Sequence, residues 1–186
     1  MRNLVHAVFG TLIVATTSAL AIADGAESEA SIRFTASQMG VPLQGVFGGF
    51  VADVKFDPDR PDLGTVQVRV DLRSVNAGGA DANDMLRSAG FLDVARYPQA
   101  SFEASEFHAQ GAGQYLARGS LTLKGQTMSL PVVFTTVAGA QGRWFDGSFT
   151  ISRLLFHVGQ GEWADTSTLD DLVQVHFHLL QQLAAR

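Results

Sequence analysis

Apolar and polar residues alternate along most of the chain, and this pattern predicts β-structure. Eight segments carry an apolar residue at every second position, as expected for strands with one face in a core and the other in water. The segments are residues 31–36, 46–56, 65–72, 100–107, 115–123, 128–134, 145–151 and 173–179. Because one-sided strands are typical of antiparallel sheets, we expect an all-β, antiparallel fold.

The connections between the segments agree with this interpretation. Residues 124–126 and 139–142 are short and contain glycine, which favours hairpins. Residues 57–62 contain two prolines and three aspartates, so a strand cannot continue through them. Eight antiparallel strands can close into a barrel or stack as a sandwich, and the pattern alone leaves both open. Small residues at predicted inward positions, such as Gly119 and Gly147, either leave space inside a barrel or mark bends.

Residues 80–97 break the alternation and predict a helical insertion. Asp81 is suited to cap the helix, and Gly90 can end it in a left-handed conformation. Pro98 then stops helical structure. A helix inserted between barrel strands usually covers an end or a flank, and here it could act as a lid.

The first 23 residues resemble a secretory signal peptide. Arg2 precedes an apolar stretch that ends in an A-x-A site at residues 21–23. An uncleaved membrane anchor is the alternative. Residues 24–30 are predicted to be a flexible leader, and residues 31–186 one domain. A cleaved signal peptide predicts an exported, periplasmic protein.

Composition narrows the classes of partner. The chain has 46% hydrophobic residues and no cysteine, so its core must hold without disulfides. It has 13 phenylalanines against two tyrosines and two tryptophans, which suits a dry interior. A formal charge of −5 disfavours nucleic acid and anionic membrane surfaces as main partners.

No arrangement of residues predicts catalysis or a resident metal. His176 and His178 lie two apart on a polar strand face without an evident third ligand, so solvated surface is the favoured interpretation. An acidic cluster near Trp163 could supply an acid–base pair, but a solvated loop is favoured. The cluster consists of Glu162, Asp165, Asp170 and Asp171. We therefore expect a non-enzyme, with neither catalytic residues nor metal ligands.

Several motifs together resemble the YceI-like family of exported, lipocalin-like polyisoprenoid-binding proteins. They are Phe56-Asp57-Pro58, Leu86-Arg87-Ser88, residues 91–98 with Phe102, and residues 119–125. The resemblance covers residues 31–180 and implies an eight-stranded antiparallel barrel with a short helical insertion. It also implies that an isoprenoid chain, or another long-tailed amphiphile, lies in the barrel pore. His157 departs from the family, which commonly has glycine there, and this leaves the local turn and one pore mouth in question.

The pore lining expected on this basis is apolar, and each member could instead be ordinary core. The predicted residues are Phe34, Phe50, Val54, Met85, Phe91, Leu92, Phe102, Leu121, Phe134, Phe149 and Ile151. Arg87 and Arg153 are candidates for binding a phosphorylated head group, because guanidinium suits phosphate. A structural ion pair or a capping role is the alternative for both arginines.

The expected function is a periplasmic binding or carrier protein for an isoprenoid lipid, with no cofactor other than this lipid or a quinone. Residues 38–42 and 161–165 resemble a subgroup found with membrane cytochrome b proteins. The alternative is therefore a quinone-carrying accessory protein of a membrane cytochrome b. A filled barrel that serves only as a binding surface is a further alternative. The identity of the lipid and the oligomeric state stay open.

Overall fold

A computed structural model describes residues 29–182, which form one antiparallel sheet of ten strands. The strands are β1 (Ser31–Gln38), β2 (Val41–Phe47), β3 (Phe50–Lys55), β4 (Thr65–Asp71), β5 (Val75–Asn76), β6 (Gln99–Gly111), β7 (Gln114–Leu123), β8 (Gln126–Gly139), β9 (Gly142–Ser152) and β10 (Leu172–Gln182). Within residues 29–182 one α-helix, α1 (Ala80–Arg87), lies between β5 and β6, and short 3₁₀ helices occur at Pro61–Leu63, Leu72–Ser74, Leu154–Phe156 and Gly161–Ala164. The predicted signal peptide and most of the predicted leader lie outside the described residues.

The all-β, antiparallel fold with a short helical insertion is confirmed, whereas the closed eight-stranded barrel is wrong. The strand order is β3-β4-β6-β7-β8-β9-β10-β1-β2-β5, and the two end strands of this sheet do not pair. The sheet is therefore a curled, open half-barrel. The two additional strands arise because the segment predicted at residues 46–56 is divided in two, and because β5 contains only two residues.

The division occurs at Gly48 and Gly49, where the chain passes from one margin of the sheet to the other. Before these glycines β2 pairs with β1, and after them β3 pairs with β4. The Gly48 N–H donates to the Ser74 carbonyl at 3.3 Å, and the Gly49 carbonyl accepts from the Asp71 N–H at 2.8 Å. Hydrogen bonds to the end of β4 and the residues after it therefore hold the bend.

Two-residue hairpins join several neighbouring strands. Lys124 and Gly125 have φ values of 47° and 77°, and Met39 and Gly40 have values of 50° and 78°. Positive φ at both central residues is typical of type I′ turns, whose twist matches that of the flanking strands. The predicted hairpins at residues 124–126 and 139–142 are confirmed.

The helix is shorter than the predicted span of residues 80–97. It ends at Arg87, because both the N–H and the hydroxyl of Ser88 bond to the Met85 carbonyl. Its N-cap is Gly79, so the prediction of an Asp81 cap is wrong. The left-handed residue in the turns that follow is Asp93, with φ 49°, and not Gly90. None of the helices among residues 29–182 is long and apolar enough to span a membrane.

The core has two buried clusters, one toward each end of the curled sheet. We call the end with α1 and the β1–β2 hairpin the upper end, and the opposite one the lower end. The lower cluster surrounds Phe56 and Phe134. The upper cluster surrounds Leu72 and Phe156, which are 1% and 2% exposed. Partly buried apolar side chains connect the clusters along the concave face of the sheet.

Candidate functional site

The curled sheet surrounds an apolar cavity of ≈ 420 Å³ that runs between the two buried clusters. Strands contribute to its wall through every second residue, as in β10, where Val173, Val175, Phe177 and Leu179 all face it. The apolar positions of the alternating sequence pattern therefore form the wall of this cavity. Polar lining residues are few: Gln38, Gln44, Ser101 and Arg153.

Aromatic rings close the lower end of the cavity. The Phe56 ring lies 5.0–5.8 Å, between centroids, from the rings of Phe107, Tyr115, Phe134 and Phe145. Most of these contacts are edge-on, a favourable arrangement for aromatic quadrupoles. Phe56 and Phe134 are only 6% and 5% exposed. This ring cluster is the floor of the cavity.

Glycines on the concave face accommodate phenylalanine rings from neighbouring strands. A Cβ at Gly119 would collide with the Phe102 ring, and a Cβ at Gly147 would collide with the Phe177 ring. Gly45 stands in the same relation to Phe34. Of the two alternatives for these small residues, empty space does not hold at Gly119 and Gly147, because a ring occupies the position in each case.

The upper end of the cavity opens to solvent between the β1–β2 hairpin and α1. Leu43 on β2 and Met85 on α1 both line the cavity, yet they are 41% and 40% exposed. Gln38, at the end of β1, supplies an amide group on the hairpin side of this opening. We call the opening the mouth. It is the place where a bound tail would meet solvent and where a head group would lie.

The structure brings together nearly all of the predicted pore residues. All of them except Phe50 line the cavity, and Phe50 is a partly buried residue packed against the lower cluster. Whether they bind a ligand stays a prediction. The prediction missed many further lining residues, among them Leu43, Phe177 and Trp163. Phe177 was identifiable from its alternating strand, whereas Leu43 and Trp163 lie in segments without a clear period.

Arg153 is buried beneath the connection between β9 and β10. It is 2% exposed, and its five N–H donors all bond to carbonyl oxygens at 2.6–3.0 Å. The accepting carbonyls belong to Val158, Gly159, Trp163, Leu169 and Asp170. Burial lowers the pKa of this guanidinium, while the nearby Asp171 and Asp170 carboxylates raise it. With every donor occupied, the geometry favours a structural role over head-group binding.

Arg87 joins α1 to the chain around β5. Its Nε donates to the Arg73 carbonyl at 3.0 Å, and Nη2 donates to the Val75 carbonyl at 3.1 Å. Nη1 lies 3.4 Å from a carboxylate oxygen of Asp84, one turn earlier in the helix. Arg87 does not line the cavity. Its contacts also favour the structural alternative, because they hold the helix beside the mouth.

Two residues of the acidic cluster, Asp165 and Asp171, have separate structural partners. Asp171 accepts hydrogen bonds from the Ser152 hydroxyl and the Leu154 N–H. Hydrogen bonds from the Ser167 hydroxyl and N–H hold the pKa of the Asp165 carboxyl below its ordinary value. Such a carboxylate is a weak general base. The prediction that the chain is not an enzyme stays a prediction.

His178 is packed rather than solvated, so the interpretation of both strand histidines as solvated surface is wrong for this residue. Its side chain is 16% exposed, and its ring stacks on Trp144 with centroids 4.3 Å apart. Its Nδ1 pairs with Asp146 at 2.5 Å. Among residues 29–182, no group of three or more His, Asp or Glu side chains could hold a metal ion. The prediction of no resident metal stays open.

An open antiparallel half-barrel with an apolar cavity, a closed floor and one mouth defines a class of proteins that hold small apolar molecules. The YceI-like domain model matches residues 24–180, and the chain belongs to this family. It is 31% identical over 167 residues to a UPF0312 protein of Shewanella baltica, covering 84% of this chain and 87% of that protein. A Vibrio cholerae UPF0312 protein is 32% identical over 124 residues, or 66% of each chain.

Solved structures share the fold. The crystal structure of Burkholderia cenocepacia BcnA superposes with a TM-score of 0.80 at 37% identity, covering 82% of this chain and 96% of that one. A polyisoprenoid binding domain from Saccharophagus degradans superposes with a TM-score of 0.65 at 17% identity, covering 83% and 94%. At that identity the second likeness shows the fold alone.

Proposed function

We propose that this protein binds one long-tailed lipid, with an isoprenoid chain as the tail, and carries it in the periplasm. The observation that carries the proposal is the cavity, which is lined almost wholly by apolar side chains, closed at one end by Phe56 and open at the other. Burying an apolar tail there is favourable by roughly 0.8 kcal/mol per CH₂ group before ordering costs. The polyisoprenoid-binding neighbour and the family membership support the same ligand class.

The mouth favours a neutral or loosely held head group. Its polar side chain on the hairpin side is the amide of Gln38, while Arg153 has no donor left for a phosphate. Recognition then rests on the tail. A prenyl quinone fits this environment as well as a prenyl alcohol, so the quinone-carrying accessory role beside a membrane cytochrome b is the second candidate function.

Tryptophan fluorescence provides a direct test, because the chain has two tryptophans and only Trp163 lines the cavity. In a Trp144→Phe variant, Trp163 is the single reporter. We expect a saturable change in its emission, with one-to-one stoichiometry, when a detergent-solubilised polyprenyl alcohol or prenyl quinone is added. Detergent alone is the blank.

A matched pair of variants locates the binding. Ala36→Phe places a ring in the cavity and should lower the affinity for the added isoprenoid. Val51→Phe adds the same ring on the exposed face and should leave this affinity unchanged. Unchanged emission with every isoprenoid would refute the proposal. Equal affinity in both variants would place the ligand outside the cavity.

A further inference from the structure

The tip of the β1–β2 hairpin presents apolar side chains to solvent directly beside the mouth. Met39 is 76% exposed and Val41 is 61% exposed, and neither lines the cavity. The next residues along the strand, Pro42 and Leu43, do line it. An exposed apolar surface is therefore continuous with the entrance to the apolar interior.

The hairpin is held in place and carries no charge. The Met39 N–H donates to the Thr168 carbonyl at 3.0 Å, and Gln38 pairs with Leu169, so the tip is fastened to the connection before β10. No charged residue or histidine occurs between Arg33 and Asp53. The tip has no charged side chain of its own, so it can enter a lipid interface to a shallow depth while the Asp165 and Asp170 carboxylates of the adjoining connection stay in water.

Two features argue against a protein partner at this tip. A few side chains cannot supply the roughly 800 Å² per partner that a stable protein interface buries. The edge of β2 before Val46 has no strand partner within residues 29–182, but Pro42 lies on it and lacks an N–H. Gln38 and Val41 are the first pair of the β1–β2 ladder and exchange hydrogen bonds with each other, so the backbone of the next residue, Pro42, points away from β1 toward this free edge. Because the Pro42 nitrogen carries no hydrogen, it cannot donate to a further strand, which blocks strand addition there.

We propose that the β1–β2 hairpin tip is a membrane-contact site that inserts Met39 and Val41 into the interface of a zwitterionic bilayer. This places the mouth on the surface in which a long-tailed lipid resides, so the tail can pass from bilayer to cavity without crossing water. The biological role of this contact rests on the proposed function, since lipid uptake requires that the cavity binds a lipid tail. The exposed Asp81 on the neighbouring α1 disfavours a strongly anionic surface, because like charges repel.

The absence of cysteine from the chain allows a site-specific test. Val41→Cys and Val137→Cys are each labelled with an environment-sensitive fluorophore and mixed with phosphatidylcholine vesicles that contain lipid-attached quenchers. Val137 is a matched control, because it is 62% exposed but lies on β8 near the lower end of the sheet. We expect quenching and a blue shift at position 41 and neither at position 137. No quenching at position 41, or equal quenching at both positions, would overturn the inference.

A second variant tests the consequence for lipid uptake. In Met39→Asn with Val41→Thr, asparagine tolerates the left-handed turn position and threonine retains the β-branch. We expect the rate of tail uptake from vesicles to fall on the order of tenfold, with unchanged affinity for a detergent-solubilised tail. An unchanged uptake rate counts against the inference. The detergent titration separately decides the proposed function, so the two failures are distinguishable.

Discussion

At the scale of single residues, glycine positions on the concave face decide how tightly the wall packs. At Gly119 an added Cβ would meet both the Phe102 ring and, at 2.7 Å, the Glu103 carbonyl oxygen. At Gly48 the nearest atom is 4.0 Å away. Two glycines that look equivalent in the sequence therefore have different tolerance for a methyl group.

We expect Gly119→Ala to lower the free energy of unfolding by about 1–3 kcal/mol, because it overpacks the wall against the backbone of β6. Gly48→Ala should change it by less than about 1 kcal/mol, since Gly48 lies in the bend between β2 and β3, where space for a Cβ is open and φ is outside the left-handed region. Urea unfolding of both variants measures the difference. Equal effects would show that the Phe102 ring moves aside readily.

The Asp71 carboxylate should contribute to the dependence of stability on pH in the acidic range. Hydrogen bonds from the Arg73 side chain and N–H hold the pKa of Asp71 below its ordinary value of 3.8. Its stabilising contribution is therefore complete above that value and is lost as pH falls through the lower, folded-state pKa. We expect Asp71→Asn to show a weaker loss of stability than the parent chain between about pH 5 and about pH 2.5 in urea unfolding. Parallel pH profiles for the two proteins would contradict this assignment.

At the scale of elements, α1 forms one side of the mouth and is held there by Arg87. Hydrogen bonds from Arg87 to the carbonyls of Arg73 and Val75 cross from the helix to the chain around β5. The helix also contributes Met85 and Leu86 to the cavity lining. A change at Arg87 should therefore act on ligand binding through the position of the helix.

We expect Arg87→Ala to lower the free energy of unfolding by roughly 1–2 kcal/mol through loss of these bonds. It should lower the affinity for a prenyl phosphate and for a neutral prenyl quinone by similar factors, because the displaced helix changes the mouth through which both ligands enter. Paired titrations with the two ligands provide the measurement. A selective loss of the phosphorylated ligand would instead establish Arg87 as a head-group residue.

Elements differed in how far they could be predicted. The regular strands β4, β7 and β10 were identified because each has one wet and one dry face, so burial leaves a period of two. The segment at residues 41–45 was missed because every residue in it except Gly45 is exposed, and no alternation arises. The helix was predicted too long because the apolar residues after Arg87, such as Phe91 and Leu92, lie in turns and are nevertheless buried. Their apolar pattern therefore looks like a continuation of the helix.

The candidate site was predictable to a similar extent. Inward phenylalanines follow from the strand pattern, and most of the predicted lining residues do line the cavity. Three of the five carbonyls bonded to Arg153, and the Asp146 partner of His178, lie ten or more residues away in sequence. Such partners leave no local signal in a single sequence.

At the scale of the whole molecule, the cavity is a tube closed at the lower end by aromatic rings, so its floor should limit tail length. We expect Phe134→Leu to shift preference toward longer polyprenyl tails, because the smaller side chain deepens the cavity. Phe50→Leu is the matched control, since Phe50 packs against the same cluster without lining the cavity. Competition between tails of graded length measures the preference. An identical ranking in both variants would mean that the tail does not reach the floor.

The central claim is that the cavity holds one lipid tail, and native mass spectrometry of the protein recovered from its own cells tests it most directly. We expect a single adduct of defined mass that organic extraction identifies as a polyprenyl lipid or a prenyl quinone, and a lower occupancy of this adduct in Ala36→Phe. A protein without adduct that also takes up no added isoprenoid would contradict the account, and the half-barrel would then be a filled scaffold.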